Sequence, residues 1–167
     1  MKIELKNVSK SFKNNVIIKN VTITFESDYI YGIFGRNGTG KSVFLKLICS
    51  FYTPDSGEIY IDGVDYNKNN DFPKKLRALI EKPCFFPELT GFENLKLLAD
   101  IQKEISDEQI KEALEIVNLS NDMDKKYYKY SLGMKQKLGI AQVIMENPKI
   151  MILDEPFNGV EEETVQK

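Results

Sequence analysis

The apolar positions change period along the chain. Ile3, Leu5 and Val8 are spaced for a half-buried strand, and Val21, Ile23 and Phe25 alternate cleanly. A period of two places one face of a strand in a core and leaves the other wet. Residues 11–15 read as a turn into Val16-Ile17-Ile18, and short connections of this kind join antiparallel strands. Tyr29-Ile30-Tyr31-Gly32-Ile33-Phe34 does not alternate. Its continuous apolar run predicts a strand buried on both faces. Residues 41–50 predict a helix with Val43, Phe44, Leu47 and Ile48 on one side. Glu58-Ile59-Tyr60-Ile61 is a short strand between the turns Pro54-Asp55-Ser56-Gly57 and Asp62-Gly63. A polar loop covers residues 67–71, and Leu76-Arg77-Ala78-Leu79-Ile80 predicts a strand stopped by Pro83.

Beyond Pro83 the period lengthens to that of helices. Thr90-Gly91-Phe92-Glu93 forms a capping box ahead of Phe92, Leu95 and Leu98 or Ala99. Ser106-Asp107-Glu108-Gln109 forms a second, and its helix carries Ile110, Ala113, Leu114 and Val117 at i, i+3, i+4 and i+7. A third helix starts near Ser131, with Met134, Leu138, Ala141 and Met145 on one stripe. Ile150-Met151-Ile152-Leu153 then predicts a buried strand that ends in Asp154-Glu155. The expected fold is α/β: a mainly parallel core sheet, an antiparallel β part at the N-terminus and a helical insertion. The expected division is a core of residues 1–82 and 148–167 with a helical subdomain at 83–147.

Composition narrows the function. The chain has 167 residues, 42% hydrophobic and 29% charged, which suits a globular domain with a sizeable core. A net charge of −2 without a basic run gives no reason to expect nucleic acid as a partner. The absence of histidine excludes histidine general-base chemistry and histidine metal ligands from these residues. Cys49 and Cys84 have neither metal-type nor disulfide spacing and read as reduced thiols. No apolar run approaches the roughly eighteen residues of a membrane-crossing helix, and residues 1–4 open a strand rather than a secretory signal. Work at a membrane would need spans from another chain.

The chemistry centres on residues 35–42, Gly-Arg-Asn-Gly-Thr-Gly-Lys-Ser. They fit G-x-x-x-x-G-K-[ST], a loop whose backbone N–H groups curl around phosphates. A helix N-terminus behind such a loop adds positive potential. Lys41 supplies a mobile cation for β- and γ-phosphates, and the Ser42 hydroxyl is a hard oxygen ligand for Mg²⁺. At the end of the last strand, Asp154 can hold Mg²⁺ and Glu155 can take a proton from an attacking water; acidic residues also end strands as solvated caps. Phe12, in a loop ahead of the phosphate motif, can stack on a nucleobase or fold onto the core.

Together with Tyr130-Ser131-Leu132-Gly133-Met134-Lys135-Gln136, these motifs give a chain that resembles the ATP-binding domain of ABC transporters. The heptad is similar to that family's LSGGQ-type signature and lies between the helical insertion and the Asp-bearing strand. The resemblance covers essentially the whole chain and is closest in style to ATPases of bacterial bacitracin, lantibiotic and multidrug exporters. It implies a P-loop NTPase that binds ATP and Mg²⁺. Gly35, Arg36, Asn37, Gly38, Thr39, Gly40, Lys41, Ser42 and Val43 would hold ATP, with Phe12 on the adenine. Ser42, Asp154 and Glu81 would serve Mg²⁺; Glu81 stands where many members have glutamine. Glu155 would be the catalytic base. Ser131 and Gly133 would reach the γ-phosphate of ATP held by a second ATP-binding domain, an identical copy or a paralogue. Ser131 also reads as a plain helix cap, and the two roles are compatible.

The resemblance further implies a transmembrane permease subunit as partner, no nucleic acid, and a cytoplasmic position at the inner face of the membrane. Among Phe85, Phe86 and Leu89, one or more is expected at the permease docking surface; a locally packed loop is the other reading. Two departures stand out. Val160 and Glu161 occupy positions where the family usually has Leu-Asp, and no switch histidine is present. A C-terminally shortened chain that binds ATP–Mg²⁺ and hydrolyses it slowly or not at all is therefore expected. Competing readings are a soluble ABC-type ATPase acting on ribosomes or DNA, and a nucleotide-binding module that does not turn over.

Overall fold

A computed structural model of the chain describes residues 1–68 and 71–157. It forms two compact units, Met1–Leu76 and Arg77–Lys167.

In the first unit β1 (Lys2–Phe12) lies between β2 (Asn15–Glu26) and β3 (Ser56–Ile61), and both pairings are antiparallel. Leu5 faces Ile23 on one side and Ile59 on the other. This register gathers Ile3, Leu5, Val8, Ile18, Ile59 and Ile61 into the core, as the period of two requires. Residues 16–18 and 21–25 belong to the single strand β2. The hairpin turn is shorter than the sequence implies: Phe12 pairs with Asn15, leaving Lys13 and Asn14 between the strands. Helix α1 (Lys41–Ile48) buries Leu45, Leu47 and Ile48, while Val43 and Phe44 are half-buried. Phe44 rests edge-on against Phe25 of β2, ring centroids 6.3 Å apart.

Residues 29–34 depart from expectation. They form no strand, and Phe34 is 94% exposed. An apolar run supplies side chains for a core, but a strand also needs a neighbour for its N–H and C=O groups. Among the described residues none pairs with this segment. It is held instead by Tyr31, whose hydroxyl accepts from the Glu26 N–H at 3.0 Å and whose ring meets Phe25 at 4.9 Å.

In the second unit β4 (Leu76–Leu79), which begins at the unit boundary, pairs with β5 (Ile150–Leu153). Three helices follow the predicted periods: α2 (Gly91–Gln102), α3 (Asp107–Ile116) and α4 (Leu132–Ile144). Their common core includes Leu95, Ala99, Ile110, Leu114, Leu138 and Ala141. The first capping box is formed in both directions: Thr90 Oγ1 accepts from Glu93 N–H at 3.1 Å, and Thr90 N–H donates to Glu93 Oε2 at 2.7 Å. At α3 the Ser106 N–H donates to Gln109 Oε1 at 3.0 Å. Residues 83–147, expected to hold the helices, lie within this unit. No helix among the described residues is long and apolar enough to cross a membrane.

Candidate nucleotide-binding site

The phosphate motif folds as a curled loop leading straight into α1. Gly38 and Gly40 hold φ of 82° and 95°, backbone that L-residues adopt only at a cost. Thr39 ties the curl by donating from both N–H and Oγ1 to Arg36 O, at 3.3 and 2.9 Å. Lys41 Nζ reaches back over the loop to Gly35 O and Arg36 O at 3.0 and 3.2 Å. Gly40 is the N-cap of α1 and carries no side chain that could satisfy the first-turn N–H groups. A helix end of this kind, with a lysine poised over it and a serine at the second helical position, has the donors an anion requires. The donor set fits a nucleoside triphosphate with Mg²⁺: backbone N–H groups and an ammonium for phosphates, a hydroxyl for a hard cation.

The loop also abuts the β-hairpin. A Cβ on Gly40 would stand 2.6 Å from Ile17 Cγ2 of β2. That contact joins the phosphate loop to β2 of the hairpin, and Phe12 stands at the hairpin's turn. Phe12 does not fold into the core; it is 40% exposed and ends β1. Its ring meets Tyr52 edge-on, centroids 5.3 Å apart at 67°, and Lys10 Nζ stands 5.5 Å from its centre. Lys10 is itself held by Asp55 Oδ1 at 2.7 Å, while Asp55 Oδ2 accepts from Ser11 N–H at 2.6 Å. Lys10, and then the Ser11 N–H, lower the pKa of the Asp55 carboxyl. Tyr52 was not among the residues singled out from sequence. Its only signal there is an aromatic just before the Pro54-Asp55-Ser56-Gly57 turn.

The carboxylates lie in the second unit, at one end of its strand pair. Asp154 N–H donates to Leu79 O at 2.8 Å, so the carboxyl ends of β4 and β5 are side by side. This brings together Asp154, half-buried, Glu155, exposed, and Glu81, exposed, which follows β4 by two residues. Glu81 and Glu155 both adopt left-handed backbone, with φ of 69° and 49°. Carboxylates at strand carboxyl ends are where open parallel sheets keep ligand chemistry. Ser131 caps α4, its Oγ accepting from Met134 N–H at 3.2 Å. Ser131 is exposed and Gly133 half-buried, at the positive end of a 13-residue helix.

Of the three apolar residues after Pro83, Phe85 is buried in the helical core, stacked edge-on against Tyr127, and is no surface anchor. Phe86 is 61% exposed. With Pro87, Glu88, Leu89 and Leu97 it lines an apolar groove of about 270 Å³. Asn94 braces this loop from beneath, donating to Phe86 O at 3.1 Å and accepting from Phe86 N–H at 2.9 Å. The thiols are unlike. Cys49 is buried and its pKa is pushed up to about 12 by burial, whereas Cys84 is exposed.

The ABC transporter family profile matches residues 18–158. The chain is 41% identical to the uncharacterized ABC transporter ATP-binding protein YybJ of Bacillus subtilis over 98% of its length, spanning 75% of that protein. It is 38% identical to the bacitracin transport ATP-binding protein BcrA of Enterococcus faecalis over 95% of its length, spanning 52% of that relative. Among solved structures, a putative ABC transporter ATP-binding protein from Pyrococcus furiosus superposes with a TM-score of 0.86 at 27% identity, over 99% of this chain and 81% of that one. The ATP-binding cassette MJ0796, solved as a dimer in a post-hydrolysis state with ADP and Pi, gives 0.85 at 26%, over 98% and 78%. The fold class is therefore that of the P-loop NTPases, with an antiparallel N-terminal sheet, a parallel sheet and helices. The chain belongs to the ABC transporter ATP-binding family.

Proposed function

We propose that the chain is the ATP-binding and ATP-hydrolysing subunit of an ABC exporter that works with a separate transmembrane permease at the inner face of the membrane. The observation that carries this is the curled loop of residues 35–42 over α1, with Lys41 drawn across it. Gly35 to Ser42 and Val43 hold the phosphates, and Phe12 stacks on the base. Ser42, Asp154 and Glu81 serve Mg²⁺. Glu155 accepts the proton of the attacking water. Ser131 and Gly133, at the N-terminus of α4, complete the site of a second copy or paralogue in a head-to-tail pair. ATP in the shared site favours the closed pair, and its hydrolysis releases it. The names of BcrA and of the lantibiotic transport ATP-binding protein SrtF support a peptide-antibiotic exporter.

The exposed Phe86 and its groove receive the permease. None of these 167 residues is a histidine, so none of them offers an imidazole to the γ-phosphate, and turnover by these residues alone is slow. The test is sedimentation velocity of Glu155→Gln with and without Mg–ATP. The expected result is an ATP-dependent dimer that Ser131→Arg abolishes; a monomer under all conditions refutes the shared site. Fast turnover of the unmodified chain, lost in Glu155→Gln, would refute the slow-hydrolysis element.

A further inference from the structure

We infer that Tyr52 is a positioning residue for the nucleobase: it holds the Phe12 ring in the orientation that stacks, and so sets affinity for the base part of the nucleotide. This rests on the reading of Phe12 as the base-stacking residue. Phe12 sits at the last position of β1, next to a two-residue turn, and keeps 40% of its surface exposed. A ring in that place has little core around it to fix its rotamer. Tyr52 supplies the missing constraint through an edge-on contact at 5.3 Å and 67°, the geometry that ring quadrupoles favour.

Tyr52 is itself anchored. Its N–H donates to Lys46 O at 3.2 Å at the C-terminal end of α1, and Lys46 Nζ lies 5.5 Å from its ring centre. The residue thus links the far end of the phosphate-binding helix to the tip of the hairpin. The opposite end of α1 meets the same hairpin where Gly40 abuts Ile17. Phosphate loop and base-stacking ring are therefore held in register through α1 at both of its ends. Lys10, held by Asp55, stands near the Phe12 ring as well. A lysine ammonium on a flexible stem can leave a ring face that a base occupies, whereas Tyr52 fixes the ring by shape. Ordering an aromatic side chain at the moment of binding lowers affinity, and a ring already fixed avoids that loss.

The experiment compares binding of Mg–ATP and Mg–tripolyphosphate by calorimetry in the 167-residue chain and in Tyr52→Ala, Tyr52→Leu, Tyr52→Phe and Phe12→Ala. Tyr52→Ala and Tyr52→Leu are expected to weaken ATP about three- to tenfold, the range for freeing one ordered side chain, and to leave tripolyphosphate unchanged. Tyr52→Phe, which keeps the ring edge, is expected to restore ATP binding. Tyr52→Leu keeps apolar bulk at the position and guards against a variant that merely fails to fold. Equal losses for ATP and tripolyphosphate would mean a general structural role and would overturn the inference. So would unchanged ATP affinity in the Tyr52 variants alongside a loss in Phe12→Ala. If Phe12→Ala itself leaves ATP affinity unchanged, the base-stacking reading falls, and the inference with it.

Discussion

Placing a methyl group at Gly40 separates two demands that the phosphate loop makes on its glycines. Gly38 and Gly40 both hold positive φ, at 82° and 95°. A Cβ at Gly38 would meet nothing within 4 Å, whereas one at Gly40 would stand 2.6 Å from Ile17 Cγ2 and 3.5 Å from Ile17 O. Gly38→Ala therefore carries the conformational cost alone, about 1 kcal/mol once the stiffer unfolded chain is set against a left-handed penalty of 1–2 kcal/mol. Gly40→Ala carries that cost and an overpacking term of about 1–3 kcal/mol, because Ile17 or the loop must move. The sum is about 2–4 kcal/mol, which for a chain of this size lowers Tm by at least about 4 °C, against about 2–4 °C for Gly38→Ala. The assay is differential scanning calorimetry of both variants, followed by Mg–ATP titration. Gly40→Ala with Ile17→Ala removes the clashing methyl and is expected to regain part of the nucleotide affinity that Gly40→Ala loses. If Gly40→Ala is no more harmful than Gly38→Ala, or Ile17→Ala brings no recovery, the hairpin does not abut the phosphate loop as described.

The helix cap at Ser131 gives a second prediction: Ser131→Ala removes the bond from Met134 N–H and costs about 1 kcal/mol, read by urea unfolding. The cysteines give a third. Thiol titration of the native chain should find Cys84 reactive and Cys49 inert until the protein unfolds, since burial keeps the Cys49 pKa near 12; two equally fast thiols would contradict it. Tyr130 gives a fourth. Its hydroxyl is buried and donates to Asp122 O at 2.9 Å, and burial raises its pKa to about 12. The folded state keeps the proton that the unfolded chain loses near pH 10, so this contribution is intact below about pH 10 and is lost as pH rises toward 12. Tyr130→Phe should flatten the stability profile across that window. Finally, Phe86→Glu should weaken assembly with the proposed permease while leaving Mg–ATP affinity unchanged; undiminished assembly would refute the proposed docking role of the Phe86 groove.

The elements most readable from sequence were those whose signals are local. Thr90 and Glu93 announce a capping box, and the box is there in both directions. The stripe from Ile110 to Val117 lands in the helical core, because a period near 3.6 leaves one face to bury. The phosphate loop was legible for the same reason: the positive φ of Gly38 and Gly40 is set by its own backbone. Residues that depend on a distant partner were less legible. The run at 29–34 has the composition of a buried strand, but composition does not supply the neighbouring strand it would bond. Phe85 and Phe86 look alike in sequence; packing against Tyr127 buries one, while the buried Asn94 pins the other's backbone and Phe86 remains exposed. Tyr52 carries no motif, and only its meeting with Phe12 in space brings it to notice.

The central claim is that residues 35–42 hold the triphosphate of ATP through their backbone and Lys41. Isothermal titration of Mg–ATP into the chain and into Lys41→Ala tests it most directly. One ATP bound per chain, displaced by tripolyphosphate and weakened at least about tenfold in Lys41→Ala, is the predicted result, the size expected for a charge-assisted contact worth about 1.5–3 kcal/mol. Equal affinity in the two proteins, or binding that tripolyphosphate does not displace, would contradict it.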